Sequence, residues 1–242
     1  MEIGGEENAT LRITKDLDLA VLATDVLHFE EIRSFFVKEE GYSLKNSSKL
    51  SVFSPENIQI DLLPYGPIEI DHEILLGGTN GAFQVEGFQE ACENAINIQY
   101  QELGEIKVIS PGGFVLLKFI AFDDRPTARE KDLDDLSSFL SFSFSLFFDD
   151  IQEKHWDILA SYSTTDNYSL EVGSHYLGRM LRKTVGSNDT LKNRISNILE
   201  DHLNPASNLL LINKLSIAAK VKAEDAVLAL KALFQGFSDK LE

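Results

Sequence analysis

The chain reads as an α+β protein: a mixed sheet with flanking helices at the N-terminus, followed by a helical C-terminal domain. Two observations carry this. Over the first hundred residues, segments of alternating polarity switch repeatedly with helical ones, whereas from Ser110 onward the apolar residues recur at helical spacing. The expected domains are residues 1–149, the sheet-bearing core, and residues 150–242, the helical domain. A length of 242 residues with 43% hydrophobic content suffices to bury a real core.

Taken in order, Leu17, Leu19 and Val21 alternate with Asp16, Asp18 and Ala20, the pattern of a strand with one apolar face. Asp25 to Glu40 reads as a helix with Phe29, Ile32, Phe35 and Phe36 inward, ending at Gly41. Leu50–Phe53 and Ile58–Leu63 flank Ser54-Pro55-Glu56-Asn57, the spacing of a hairpin with a four-residue loop. Pro64 and Pro67 are expected to end that sheet segment, and Gly77-Gly78-Thr79-Asn80-Gly81 marks a loop. Ser110 reads as an N-cap with Pro111 at the first helical position, opening a helix to Phe122. A second helix runs through Leu133, Leu136 and Leu140. The Ser/Phe alternation from Ser137 to Phe148 is expected to be helix end plus loop. Helices over Asn208–Ser216 and Ala223–Phe234 close the chain.

Composition narrows function. The single cysteine, Cys92, cannot pair within the chain, which favours a reducing compartment. No stretch reaches the roughly 18 uninterrupted apolar residues of a membrane span, and Lys118 breaks the run from Phe114 to Phe122. A cytoplasmic protein without membrane partners is the expectation. A net charge of -17 works against indiscriminate nucleic-acid binding, because phosphates demand Lys and Arg. The one basic stretch, Arg179, Arg182, Lys183, Lys192 and Arg194, reads as a solvated helix face.

The chemistry lies in the aspartates. Side chains two apart on a strand share a face, so Asp16 and Asp18 stand side by side and need a cation. Asp61, facing opposite to Ile58, Ile60 and Leu62, supplies a third carboxylate if its strand neighbours the first. Such hard oxygen ligands suit Mg2+ or Mn2+, and three of them can hold two ions about 3.5–4 Å apart for phosphoryl transfer. Histidines 28, 72, 155, 175 and 202 share no spacing with these aspartates, which argues against a metal-dependent phosphohydrolase.

Gly4-Gly5, ten residues, then Asp16-Leu17-Asp18-Leu19 resembles the nucleotidyltransferase signature of the polymerase-beta superfamily. Three further segments follow in the order seen in a branch of bacterial nucleotidyltransferases: Ile60 to Gly66, Leu117 to Arg125, and Lys131 to Leu136. Together with Tyr176 to Arg179 and Ile195 to Leu199, they make nearly the whole chain resemble the nucleotidyltransferase component of AbiE-type, type IV toxin–antitoxin systems. The resemblance implies transfer of a nucleoside monophosphate from a nucleoside triphosphate to an acceptor hydroxyl on RNA or protein, with a cognate antitoxin as partner. It implies metal ligation by Asp16, Asp18 and Asp61, with Asp61 also a candidate base for the acceptor hydroxyl. Gly4 and Gly5 would cradle phosphates, Lys118 would reach them, and Lys131 and Asp132 would line the nucleotide side. Relatives carry a helix and a strand before the glycine pair, whereas only Met1, Glu2 and Ile3 precede Gly4. That difference opens an alternative: an interaction protein of the same fold with impaired catalysis and weak nucleotide affinity.

Overall fold

The computed structural model describes residues 16–39, 41–44, 49–76, 83–101, 104–207 and 209–240. It is α+β and mostly helical, and its contacts divide into two compact units, Met1–Gln89 and Glu90–Glu242.

The first unit is built on three strands in the order β1-β3-β2. β1 (Asp16–Leu22) runs parallel to β3 (Gln59–Tyr65), with Asp16 opposite Gln59 and Leu22 opposite Tyr65. β2 (Ser51–Phe53) lies antiparallel on the other side of β3, with Ser51 opposite Asp61. The expected hairpin is present. Ser54 N–H donates to Ile58 O (2.9 Å), Asn57 N–H donates to Ser54 O (2.8 Å), and Asn57 takes the left-handed conformation (φ 64°) that asparagine tolerates. Along β3, Ile60, Leu62 and Pro64 are buried while Gln59, Asp61, Leu63 and Tyr65 are half-buried, so one face lies on a core with Phe29, Val52, Ile74 and Val85.

The sheet segment ends as expected between Pro64 and Pro67, its last residue being Tyr65. Leu62 N–H bonds Leu50 O on the β2 side, and Tyr65 O accepts from Ala23 on the β1 side. By alternation Pro64 turns the side without an N–H donor toward β2.

Helix α1 (Val26–Glu39) makes the crossover that a parallel pair requires. The Asp25 carboxylate caps it, accepting from His28 N–H at 2.9 Å, and that bond holds the Asp25 carboxyl below its ordinary pKa. Phe29 is fully buried and Ile32 and Phe36 are half-buried, but Phe35 is 54% exposed. Its inward place is taken by Arg33, one turn beyond Phe29 and bound to Glu30 at 2.7 Å. β4 (Glu73–Ile74) and β5 (Phe83–Gln84) form a two-stranded ladder. The glycine loop at residues 77–81 lies outside the described residues.

The unit boundary falls inside α2 (Phe88–Glu93). An exposed hairpin follows, β6 (Ile96–Tyr100) with β7 (Gly104–Val108). The helices are α3 (Pro111–Asp124), α4 (Glu130–Leu146), α5 (Phe148–Lys154), α6 (Trp156–Ser161), α7 (Tyr168–Val185), α8 (Asp189–Leu203), α9 (Leu210–Ala219) and α10 (Ala223–Ser238). Ser110 caps α3 as expected, its hydroxyl accepting from Gly113 N–H at 3.2 Å with Pro111 at the first position. The unit division differs from the expected 1–149 and 150–242. α3 and α4 bury Leu116, Phe119, Leu133, Leu136 and Leu140 in the same core as Leu177 and Leu181 of α7, so they belong to the helical unit.

The segment from Ser137 to Leu146 is uninterrupted helix, not helix end plus loop. Leu133, Leu136, Ser137, Leu140 and Ser143 are all buried and recur at three and four residues, so helical burial overrides the period-two appearance. The small serines admit α7 closely: a Cβ on Gly173 would stand 2.2 Å from Ser143 Oγ. Within the basic stretch the three arginines are paired, while Lys183 is exposed as expected of a solvated face. Arg179 binds Asp157 and Asp239 (2.5 Å each), Arg194 binds Asp123 (2.7 Å) and Asp124 (2.6 Å), and Arg182 donates to Gly186 O. Among the described residues, no helix is long and apolar enough to cross a membrane.

Candidate metal centre

In a parallel pair, register partners project from the same face. β1 and β3 align Asp18 with Asp61 and Asp16 with Gln59, so these four positions share one face; Leu17, Leu19 and Val21 share the other with Ile60, Leu62 and Pro64. Neighbouring strands stand about 4.8 Å apart, within the reach of two carboxylates on a common cation. Asp18 is exposed and Asp61 half-buried.

β2 adds the next layer. Leu62 with Leu50 is a hydrogen-bonded pair, so Ser51 with Asp61 is the intervening non-hydrogen-bonded pair, in which side chains approach most closely. Accordingly, the Ser51 hydroxyl donates to Asp61 Oδ1 at 2.5 Å. The Gln59 amide, two residues back on the same face, straddles the carboxylate at 3.0 Å from Oδ1 and 3.2 Å from Oδ2.

Asp16 lies on β1, but its side chain falls outside the description, as do Gly4 and Gly5. Among the described residues, no three His, Cys, Asp or Glu side chains gather to hold a metal. The pair Asp18 and Asp61 nevertheless suits magnesium or manganese, ions that bind through one or two carboxylates and complete their shell with water and substrate phosphates.

The remaining candidates belong to the helical unit. Lys118, half-buried on α3, donates to Asp132 (2.8 Å) and Asp135 (2.6 Å) of α4 and lies over the Phe114 ring at 5.5 Å. Burial alone would lower the Lys118 pKa; the hydrogen bonds it donates to both carboxylates outweigh that and raise the value. Asp132 is fully buried in the first turn of α4, and Arg129 Nε stands 2.6 Å from its second oxygen. Asp132 therefore acts as the buried counter-ion of Lys118 and Arg129. Lys131 is exposed.

One polar network had no signal in the sequence. Tyr162 hydrogen-bonds His175 Nδ1 (2.9 Å), His175 Nε2 meets Asp239 (2.8 Å), and Arg179 joins Asp239 to Asp157. Only His175 and Arg179, one turn apart on α7, are close in sequence; Asp239 is 64 residues from His175. Burial lowers the His175 pKa, partly offset by Asp239, and raises that of Tyr162 to about 12.

Comparison of the chain with family models, curated proteins and solved structures gave no match.

Proposed function

We propose that the chain is a metal-dependent nucleotidyltransferase, transferring a nucleoside monophosphate from a nucleoside triphosphate to an acceptor hydroxyl. The reading takes the β1-β3-β2 sheet as a nucleotidyltransferase-type sheet. The observation that carries it is the register pairing of Asp18 with Asp61 on adjacent parallel strands, two residues after Asp16. The residue pattern supplied the parity of the three aspartates and left open whether their strands are neighbours.

Asp16, Asp18 and Asp61 would hold magnesium or manganese, which, when bound, neutralises triphosphate charge and lowers the pKa of the acceptor hydroxyl. Asp61 would either hold the ion that activates that hydroxyl or take its proton. The acceptor oxygen then forms its bond to the α-phosphorus as the bond to pyrophosphate breaks. Catalysis of this kind rests on positioning and charge neutralisation. The resemblance gives Lys118 the role of a phosphate ligand; within the helical unit its ammonium is held by Asp132 and Asp135. RNA and protein are the acceptor classes that the resemblance implies, and a cognate antitoxin is the partner.

The test incubates purified protein with each α-phosphate-labelled nucleoside triphosphate, magnesium, and either transfer RNA or bulk protein as acceptor. Label entering one acceptor, lost with chelator and in Asp18→Asn, supports the reading. Equal incorporation by Asp18→Asn, or none with any nucleotide and either acceptor, would overturn it.

A further inference from the structure

The Asp61 carboxylate is not free to turn. Ser51, only 4% exposed, grips Oδ1 from β2, and the Gln59 amide spans both oxygens from along β3. Gln59 is also the register partner of Asp16, so it stands on the same face, opposite Asp16 and two residues from Asp61. Both donors are neutral. A lysine or arginine in either place would orient the carboxylate while cancelling the charge a cation needs; a hydroxyl and an amide orient it and leave that charge in place. They approach from β2 and from along β3, and neither occupies the β1 side, where Asp18 is the register partner. Three accepted hydrogen bonds still leave lone-pair capacity on a carboxylate, which offers about four sites.

We propose that Ser51 and Gln59 are positioning residues of the metal centre, fixing the Asp61 carboxylate so that its remaining lone pair, on Oδ2, serves the cation it shares with Asp18. This rests on the reading of Asp18 and Asp61 as metal ligands. A carboxylate already oriented loses less freedom on binding metal, and outer partners of this kind typically change metal affinity by about 10- to 100-fold.

The test is a Mn2+ titration of the full chain without nucleotide, followed by electron paramagnetic resonance of the free ion, so that the readout is binding and not turnover. The variants are Ser51→Ala, Ser51→Thr, Gln59→Leu and Asp61→Asn, each checked by circular dichroism for an unchanged fold. Asp61→Asn should lose the site. Ser51→Ala and Gln59→Leu should each bind about 10-fold more weakly, and Ser51→Thr, which keeps the hydroxyl, should bind like the wild type. Ser51 is buried and its alanine variant can fail to fold; Gln59 is half-buried and keeps the test decisive by itself. Wild-type affinity in Gln59→Leu, with binding lost in Asp61→Asn, overturns the positioning role and leaves the metal centre standing. Equal Mn2+ affinity in wild type and Asp61→Asn overturns the metal centre and the positioning role together.

Discussion

Asp18 and Asp61 are like charges on one sheet face, and like charges repel when no cation lies between them. Asp18→Asn should therefore leave metal-free stability within about 0.5 kcal/mol of the wild type, as is usual for exposed positions. Magnesium with nucleotide should raise the melting temperature of the wild type and not that of the variant, because only a bound ligand stabilises by mass action. Severe destabilisation of metal-free Asp18→Asn in a thermal melt would instead assign Asp18 a structural role. Asp132 is the opposite case, fully buried against Lys118 and Arg129. Asp132→Ala leaves two cations short of their counter-ion and should cost about 3 kcal/mol in urea unfolding. At this scale the sequence was informative about residue type and face. It showed Asp61 opposite in parity to Ile60 and Leu62, but parity cannot say which strand neighbours β3 or in what register. Lys118 stood out as a lysine in an apolar helix, whereas its partners depend on how α3 meets α4, which no local spacing records.

At the scale of elements, legibility followed the range of the forces involved. The Ser110 cap and the 54–57 turn are local hydrogen-bonding devices, and they formed where the residues suggested. The Ser/Phe run misled because its outcome is set by neighbours: a core that selects helical burial. Close helix crossing is likewise invisible from one element. A Cβ on Gly178 of α7 would lie 2.1 Å from Leu233 O of α10, against backbone that cannot swing aside. Gly178→Ala gains about 1 kcal/mol of helix propensity if nothing else changes. The clash should exceed that gain, so the urea midpoint is expected to fall; a higher midpoint would show that the α7–α10 contact is looser than described.

On the scale of the whole molecule, the helical unit encloses a core of its own, from Val115 to Phe237. It also carries the buried histidines. Burial lowers the pKa of His202, which lies beside Phe119 and Phe122, and that of His175, so both are neutral in the folded state near pH 7. The unfolded chain takes up their protons near its ordinary value of about 6.5, so stability should decline as pH falls below that value. Asp239 adds a later loss. Its pairing with His175 and Arg179 outweighs burial and lowers its pKa, so its contribution persists above the ordinary carboxylate range and disappears as pH drops through the depressed value. Urea midpoints measured from pH 7 to 5 should show the first decline, with a shallower slope in His202→Gln; an unchanged slope would exclude His202 as a source.

The proposed chemistry itself turns on one place, the sheet face between Asp18 and Asp61. Crystals soaked in Mn2+ with a non-hydrolysable nucleoside triphosphate, measured for anomalous scattering, test it most directly. A manganese peak about 2.1 Å from oxygens of both carboxylates, with triphosphate oxygens completing the shell, is the expected result. Ordered nucleotide with no metal between Asp18 and Asp61, or metal bound only elsewhere, would contradict it.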